Sequence, residues 1–275
     1  MTRPLHEFRV VRTEQVTPHI TRVVLGGTGF DGFEASSFTD SYAKLIFLPD
    51  GHEGPGPRDI DQAREMQATV RTYTIRSVDA DRREIAIDFV VHGDTGVAGP
   101  WAGRAKPGDR LYATDPNGGY SPDPAADWHL FAGDESAIPA ISVALQALAE
   151  NVRAKVFIEV AGPQDEIQFD TRGDVDVVWV HRGGDADEVG EGQAGDNAPL
   201  IAAVRAAEWL PGQVQVFIHG EAQTVMHNLR PYIRKERGVG PKWASSISGY
   251  WRRGRTEETF RVWKQELAVA EAPAS

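Results

Sequence analysis

Up to about residue 114, apolar and polar residues alternate in short runs; beyond residue 125, apolar runs are separated by stretches with helical spacing. A period of two turns one strand face to a core, and steps of three and four put one helix stripe there. Residues 8–12 and 20–25 carry β-branched side chains and are bounded by Pro18 and Gly26-Gly27. The run 42–48 stops at Pro49-Asp50-Gly51, a turn signature. A polar loop follows through Gly54-Pro55-Gly56-Pro57, with one helical turn near Ala63 to Gln67. The strand runs 71–76, 84–92 and 110–114 complete the set, the last entered through Pro107-Gly108-Asp109. Six short strands without a substantial helix predict a small antiparallel barrel.

Pro122 to Pro124 marks the change of period and the expected linker between a first domain, 1–121, and a second, 126–275. Strands are predicted at 128–133, 154–160, 175–181 and 214–219. Ile138, Ile141, Leu145, Leu148 and Val152 form one apolar helix face, with Pro139 tolerated in its first turn. Further helices are expected at 199–209 and 221–237, the latter kinked at Pro231. Strand and helix in alternation predict a parallel sheet with helices on its faces. The last helix follows Thr256, a good N-cap, with two acids in its first turn and Phe260, Trp263 and Leu267 on one side.

The 275 residues contain no cysteine, which removes disulfides, iron–sulfur clusters and thiolate chemistry from consideration and agrees with a reducing cytoplasm. A net charge of −11 argues against a nucleic-acid partner. Residues 1–7 lack the apolar centre of a signal peptide, and no run approaches the roughly 20 apolar residues of a membrane helix, so a soluble protein without membrane insertion is expected.

Candidate chemistry begins at Arg71-Thr72-Tyr73-Thr74-Ile75-Arg76, which offers a cation, an aromatic face and hydroxyls on one strand. A flavin needs such a set, although any amphipathic strand can carry an Arg and a Tyr. One strand later, Gly93-Asp94-Thr95-Gly96-Val97-Ala98-Gly99-Pro100-Trp101-Ala102-Gly103 reads as a hairpin loop, or as a loop whose amides face a pyrophosphate. In the second half, ligands bind outside the carboxyl ends of parallel strands. Those ends carry Gly133-Asp134-Glu135-Ser136, Glu159 and His219-Gly220-Glu221. No G-x-G-x-x-G or phosphate-loop fingerprint is present. Asp134 and Glu135 either face a nicotinamide or flavin ring or serve the dipole of the helix they precede. Tyr250-Trp251-Arg252-Arg253-Gly254-Arg255 is either a cationic and aromatic site or a core Trp beside a solvated turn.

Taken in order, these segments resemble the siderophore-interacting protein family, flavin-dependent ferric-siderophore reductases of the ferredoxin–NADP reductase-like group. The resemblance rests on Arg71 to Arg76, on Asp88-Phe89-Val90-Val91-His92-Gly93 and on Gly96 to Ala102. It continues through Ala132 to Ala140, His219-Gly220-Glu221-Ala222 and Gly249 to Gly254. It implies an N-terminal antiparallel β-barrel for FAD and a C-terminal α/β domain admitting NADH or NADPH.

Arg71, Thr72, Tyr73 and Thr74 would then meet the flavin ring, the ribityl chain and nearby phosphate, with Asp88, Phe89, Val90 and His92 along the adjacent strand. The backbone of Ala98, Gly99 and Trp101 would cradle the pyrophosphate. Asp134, Glu135 and Ser136 would approach the ring from the other domain, and Tyr250 and Trp251 would enclose it. Hydride would pass from nicotinamide to flavin and electrons onward to a ferric siderophore, releasing ferrous iron in the cytoplasm, with no catalytic acid or base required. Lys44, Lys242, Arg252, Arg253 and Arg255 are the candidate contacts to an anionic ferric chelate. Glu159 favours NADH by repelling an extra phosphate, whereas His181 and Arg182 would welcome one. Rival readings are a reductase of this fold with another acceptor, a binding module without turnover and, least favoured, a nucleic-acid-binding barrel.

Overall fold

The protein is described here by a computed structural model covering residues 4–52, 54–93 and 96–271. Asp94 and Thr95 of the glycine-rich segment lie outside the described residues. Six strands close into an antiparallel barrel in the order β1-β2-β5-β4-β3-β6. They are β1 (His6–Thr17), β2 (Ile20–Gly26), β3 (Tyr42–Phe47), β4 (Thr69–Asp79), β5 (Glu84–Val90) and β6 (Arg110–Ala113). The period-two pattern has its predicted result: Phe8, Val23, Leu45, Ile87, Phe89 and Leu111 fill the interior. Closure leaves no sheet edge open.

The helical turn expected near Ala63 starts earlier, as α1 (Ile60–Glu65), because Asp59 caps it: its carboxylate accepts from the amides of Asp61 and Gln62. A second short helix, α2 (Ala98–Arg104), replaces the second half of the expected glycine loop. Pro100 falls in its first turn, where no intrahelical N–H is needed. Gly99 permits the close approach, because a Cβ there would stand 3.1 Å from the carbonyl oxygen of Val90.

The second half is a five-stranded parallel sheet, β7 (Trp128–Gly133), β8 (Arg153–Val160), β9 (Asp174–His181), β10 (Val214–Glu221) and β11 (Ser246–Trp251), in the order β11-β10-β7-β8-β9. α3 (Ile138–Gln146) and α4 (Pro199–Ala206) cover opposite faces. α3 stops before Val152, and Asn151 adopts a positive φ of 64° in the turn that follows. The helix at 222–236 winds on through Pro231, where a kink was expected. Much of it is wound with i→i+5 bonds, as in Arg237 N–H to Tyr232 O, and the wider turn gives the proline ring room. α5 (Glu257–Glu271) packs Phe260, Trp263 and Leu267 on the sheet half.

Strand order reverses between β7 and β10, so the two chain directions diverge at their carboxyl ends and leave a crevice there. The halves are joined by packing and ion pairs. Tyr120 and Ile20 share a core with Phe131, Ile138 and Phe217. His19 Nδ1 meets the Asp165 carboxylate at 2.8 Å and its Nε2 meets Asp185 at 2.7 Å. No helix among the described residues is long and apolar enough to cross a membrane.

Candidate functional site

β4 sets out the first part of the site. Its register with β3 puts Tyr73 opposite Ala43 and Thr72 opposite Lys44. Tyr73 packs on Phe89, ring centroids 4.5 Å apart. Trp101, delivered by α2, lies 5.7 Å from Phe89 and 5.5 Å from Phe47. These rings make an aromatic floor at one end of the barrel. Burial pushes the Tyr73 phenol up, and the neighbouring Glu257 adds to the effect.

Beside that floor is a cationic and hydroxylic edge. Arg71 Nη1 donates to Glu258 Oε1 at 2.7 Å, its Nε lies 3.8 Å from Glu257 Oε2, and Thr72 Oγ1 donates to Glu257 Oε1 at 3.3 Å. Both acids open α5. Burial raises the Glu257 carboxyl, with Arg71 opposing. Arg71 and Thr72 thus grip anionic oxygens, those of two carboxylates. Thr74, nearly buried, pairs with Tyr42.

Other predicted contacts have local partners. Asp88 holds Arg22 through two bonds of 2.6 and 2.9 Å. Phe89 is fully buried in the barrel core, and Val90 is half-buried at the strand end. His92, past that end, pairs with Asp187 at 3.0 Å. The Trp101 amide donates to Val97 O within α2 and is committed to the helix rather than to a pyrophosphate cradle.

The crevice at the sheet's carboxyl edge is lined by Asp134, Glu159, Arg182, Glu221, Trp251 and Arg253, among others. Gly133 ends β7 where any Cβ would collide with Ala137 and with the His219 carbonyl. Asp134 is saturated: it accepts from the Ser136 amide and hydroxyl, from the Glu221 amide at 2.8 Å and from the Trp251 indole at 2.8 Å. Arg182 donates to both oxygens of Glu135, through Nη1 at 2.9 Å and through Nη2, and lies 3.7 Å from Glu159. All three are buried. Glu159 also accepts from the Leu200 amide, and burial carries its carboxyl up to about 7. Arg182 is therefore an internal counter-ion, and His181 is taken by Glu166 at 2.8 Å.

Tyr250 is carried by β11 and packs against the sheet. Burial raises its phenol, and Asp40, Asp134 and Tyr42 are near enough to push it further. Its ring lies 4.4 Å from that of His219, whose pKa burial lowers to about 3. The candidate substrate cations do not form one patch. Lys44 lies across from Thr72, while Lys242 pairs with Asp123 at the linker. Arg252 meets Glu221 and covers the Trp263 ring, Arg253 donates to the carbonyls of Asp187 and Val189, and Arg255 is exposed.

Two features of the site do not show in the sequence pattern: strand β11 and the capture of Arg71 by α5. Residues 246–251 lack a clean apolar–polar alternation, and Gly249 interrupts them. That glycine is required, because a Cβ there would fall 2.6 Å from that of Ala222. The only signal for the capture of Arg71 is the pair of acids after Thr256.

Residues 9–120 match the model of the siderophore-interacting FAD-binding domain, and residues 126–254 that of the siderophore-interacting protein. A ferric vibriobactin reductase of Vibrio cholerae is 31% identical over 91% of this chain and 90% of its own. The chain belongs to the siderophore-interacting protein family. An uncharacterized protein of Mycobacterium tuberculosis is 61% identical over 98% of both chains. A siderophore utilization protein from T. fusca has the same fold, with TM-score 0.77 and 32% identity over 93% of this chain and 96% of that one. The architecture is ferredoxin reductase-like. As in its family, the cofactor is FAD, and the aromatic floor with the anion-gripping Arg71 and Thr72 fits it.

Proposed function

We propose that this protein reduces ferric siderophores with electrons from NADH or NADPH, through an FAD domain at 1–121 and a nicotinamide domain at 126–275, and releases ferrous iron in the cytoplasm. The observation that carries this reading is the anion grip of Arg71 and Thr72 beside the Tyr73–Phe89–Trp101 floor. Bound FAD would supply the redox chemistry that couples a two-electron hydride donor to one-electron acceptors. One nicotinamide thus reduces two ferric ions, leaving oxidised with release of one proton.

The chain's own residues position and enclose. Arg71 and Thr72 would hold the phosphate end of FAD. Tyr73 and Thr74 would serve the ring and ribityl side. Tyr250 and Trp251 close the site from the sheet half, with the Trp251 indole fixed by the saturated Asp134. Ferric iron is bound by hard anionic oxygens and ferrous iron more weakly, so reduction itself loosens the chelate. Lys44 and Arg255 attract the anionic complex; among the described residues neither has a salt-bridge partner.

The test is anaerobic. The FAD-loaded protein is reduced with NADH or NADPH, mixed with a ferric siderophore and read with a ferrous-specific chelator. Two ferrous ions per nicotinamide are expected. Reduced protein that ignores ferric siderophores but reduces another acceptor would replace this reading with a general flavin reductase.

A further inference from the structure

α5 is attached in two unlike ways. Its apolar side, Phe260 and Trp263, is bedded in the sheet half, where Arg252 lies 4.7 Å above the Trp263 ring and Lys264 reaches Ser248 Oγ and Gly249 O at 3.3 Å. Its first turn instead crosses to the barrel, where Glu257 and Glu258 engage Thr72 and Arg71. Acids at a helix start satisfy the dipole without any such contact. Their position on the barrel needs a separate explanation, because both acids occupy the groups that the flavin phosphate requires.

We propose that the Glu257–Glu258 pair is a cofactor-exchanged latch that sets FAD affinity. In the latched arrangement, which the structure shows, the two carboxylates neutralise Arg71 and tie α5 across the two halves. When FAD enters, its phosphate oxygens replace them, and the first turn of α5 leaves the barrel while Phe260 and Trp263 keep the rest of the helix seated. No covalent or redox step is involved. Exchange is feasible because Glu258 and Glu257 stay partly in water, with side chains 60% and 38% exposed. This inference rests on the FAD reading of Arg71.

The test compares wild type with the Glu257→Gln/Glu258→Gln double variant by flavin fluorescence titration, with Glu266→Gln, an exposed acid further along α5, as control. Two partly exposed ion pairs removed from competition predict a Kd about fivefold tighter in the double variant, and an unchanged Kd in the control. Hydrogen exchange of amides 259–263 should quicken about fivefold when FAD binds wild type. Arg71→Gln should show the faster exchange without FAD. Equal Kd values with α5 exchange indifferent to FAD would overturn the latch while leaving the flavin reading intact, as would equal tightening by Glu266→Gln. If neither protein binds FAD, the flavin reading fails and the latch with it.

Discussion

The barrel mouth and the sheet crevice both present charged residues, yet they use them differently. At the mouth, Arg71 and Thr72 meet acids from a helix 185 or more residues away in sequence, on side chains that remain partly in water. In the crevice, Arg182, Glu135 and Glu159 satisfy one another below the surface, and Asp134 has no accepting capacity left unused by its four donors. Charge whose partner can be exchanged is suited to binding a ligand. Charge that is buried and paired fixes the shape of the strand ends instead.

That contrast predicts where stability resides. Arg182→Met leaves two buried carboxylates without their counter-ion and should cost about 3–5 kcal/mol in denaturant unfolding; a loss under about 1 kcal/mol would make the crevice as permissive as the mouth. Trp251→Phe removes one of the donors to Asp134 and should cost about 1 kcal/mol by the same measurement. Thr72→Val, at the mouth, should change stability by less than about 0.5 kcal/mol.

Glu159 sharpens the comparison through pH. Its folded pKa, about 7, exceeds the ordinary 4.5 because the carboxyl is buried. Between those values the folded state holds a proton that the unfolded state has lost, so this group makes stability fall as pH rises from 4.5 to 7. Glu159→Gln should flatten that decline in urea titrations across the window, since the amide oxygen still accepts from Leu200.

Much of the fold was legible because local pattern decided it. Six alternating runs closed into the barrel, and the strand–helix alternation after residue 125 produced the parallel sheet. Less legible were elements whose cause lies elsewhere in the fold. The glycines at 96–103 looked like loop, although Gly99 serves the seating of a helix on β5. β11 has little alternation and is fixed by pairing with β10 and by its contact with Ala222. In the candidate site, Arg71, Tyr73 and Thr74 could be named from one strand. The role of Arg182 could not, since its partner Glu135 is 47 residues distant and both are buried only in the folded chain.

The most direct measurement is a titration of the purified protein with FAD, followed by the perturbation of flavin absorbance and fluorescence, in wild type and in Arg71→Ala. Saturable one-to-one binding in wild type, weakened about 10- to 100-fold by Arg71→Ala with stability almost unchanged, is the predicted result. Equal FAD affinity in the two proteins, or no binding by wild type, would contradict the assignment of the barrel mouth as the flavin site.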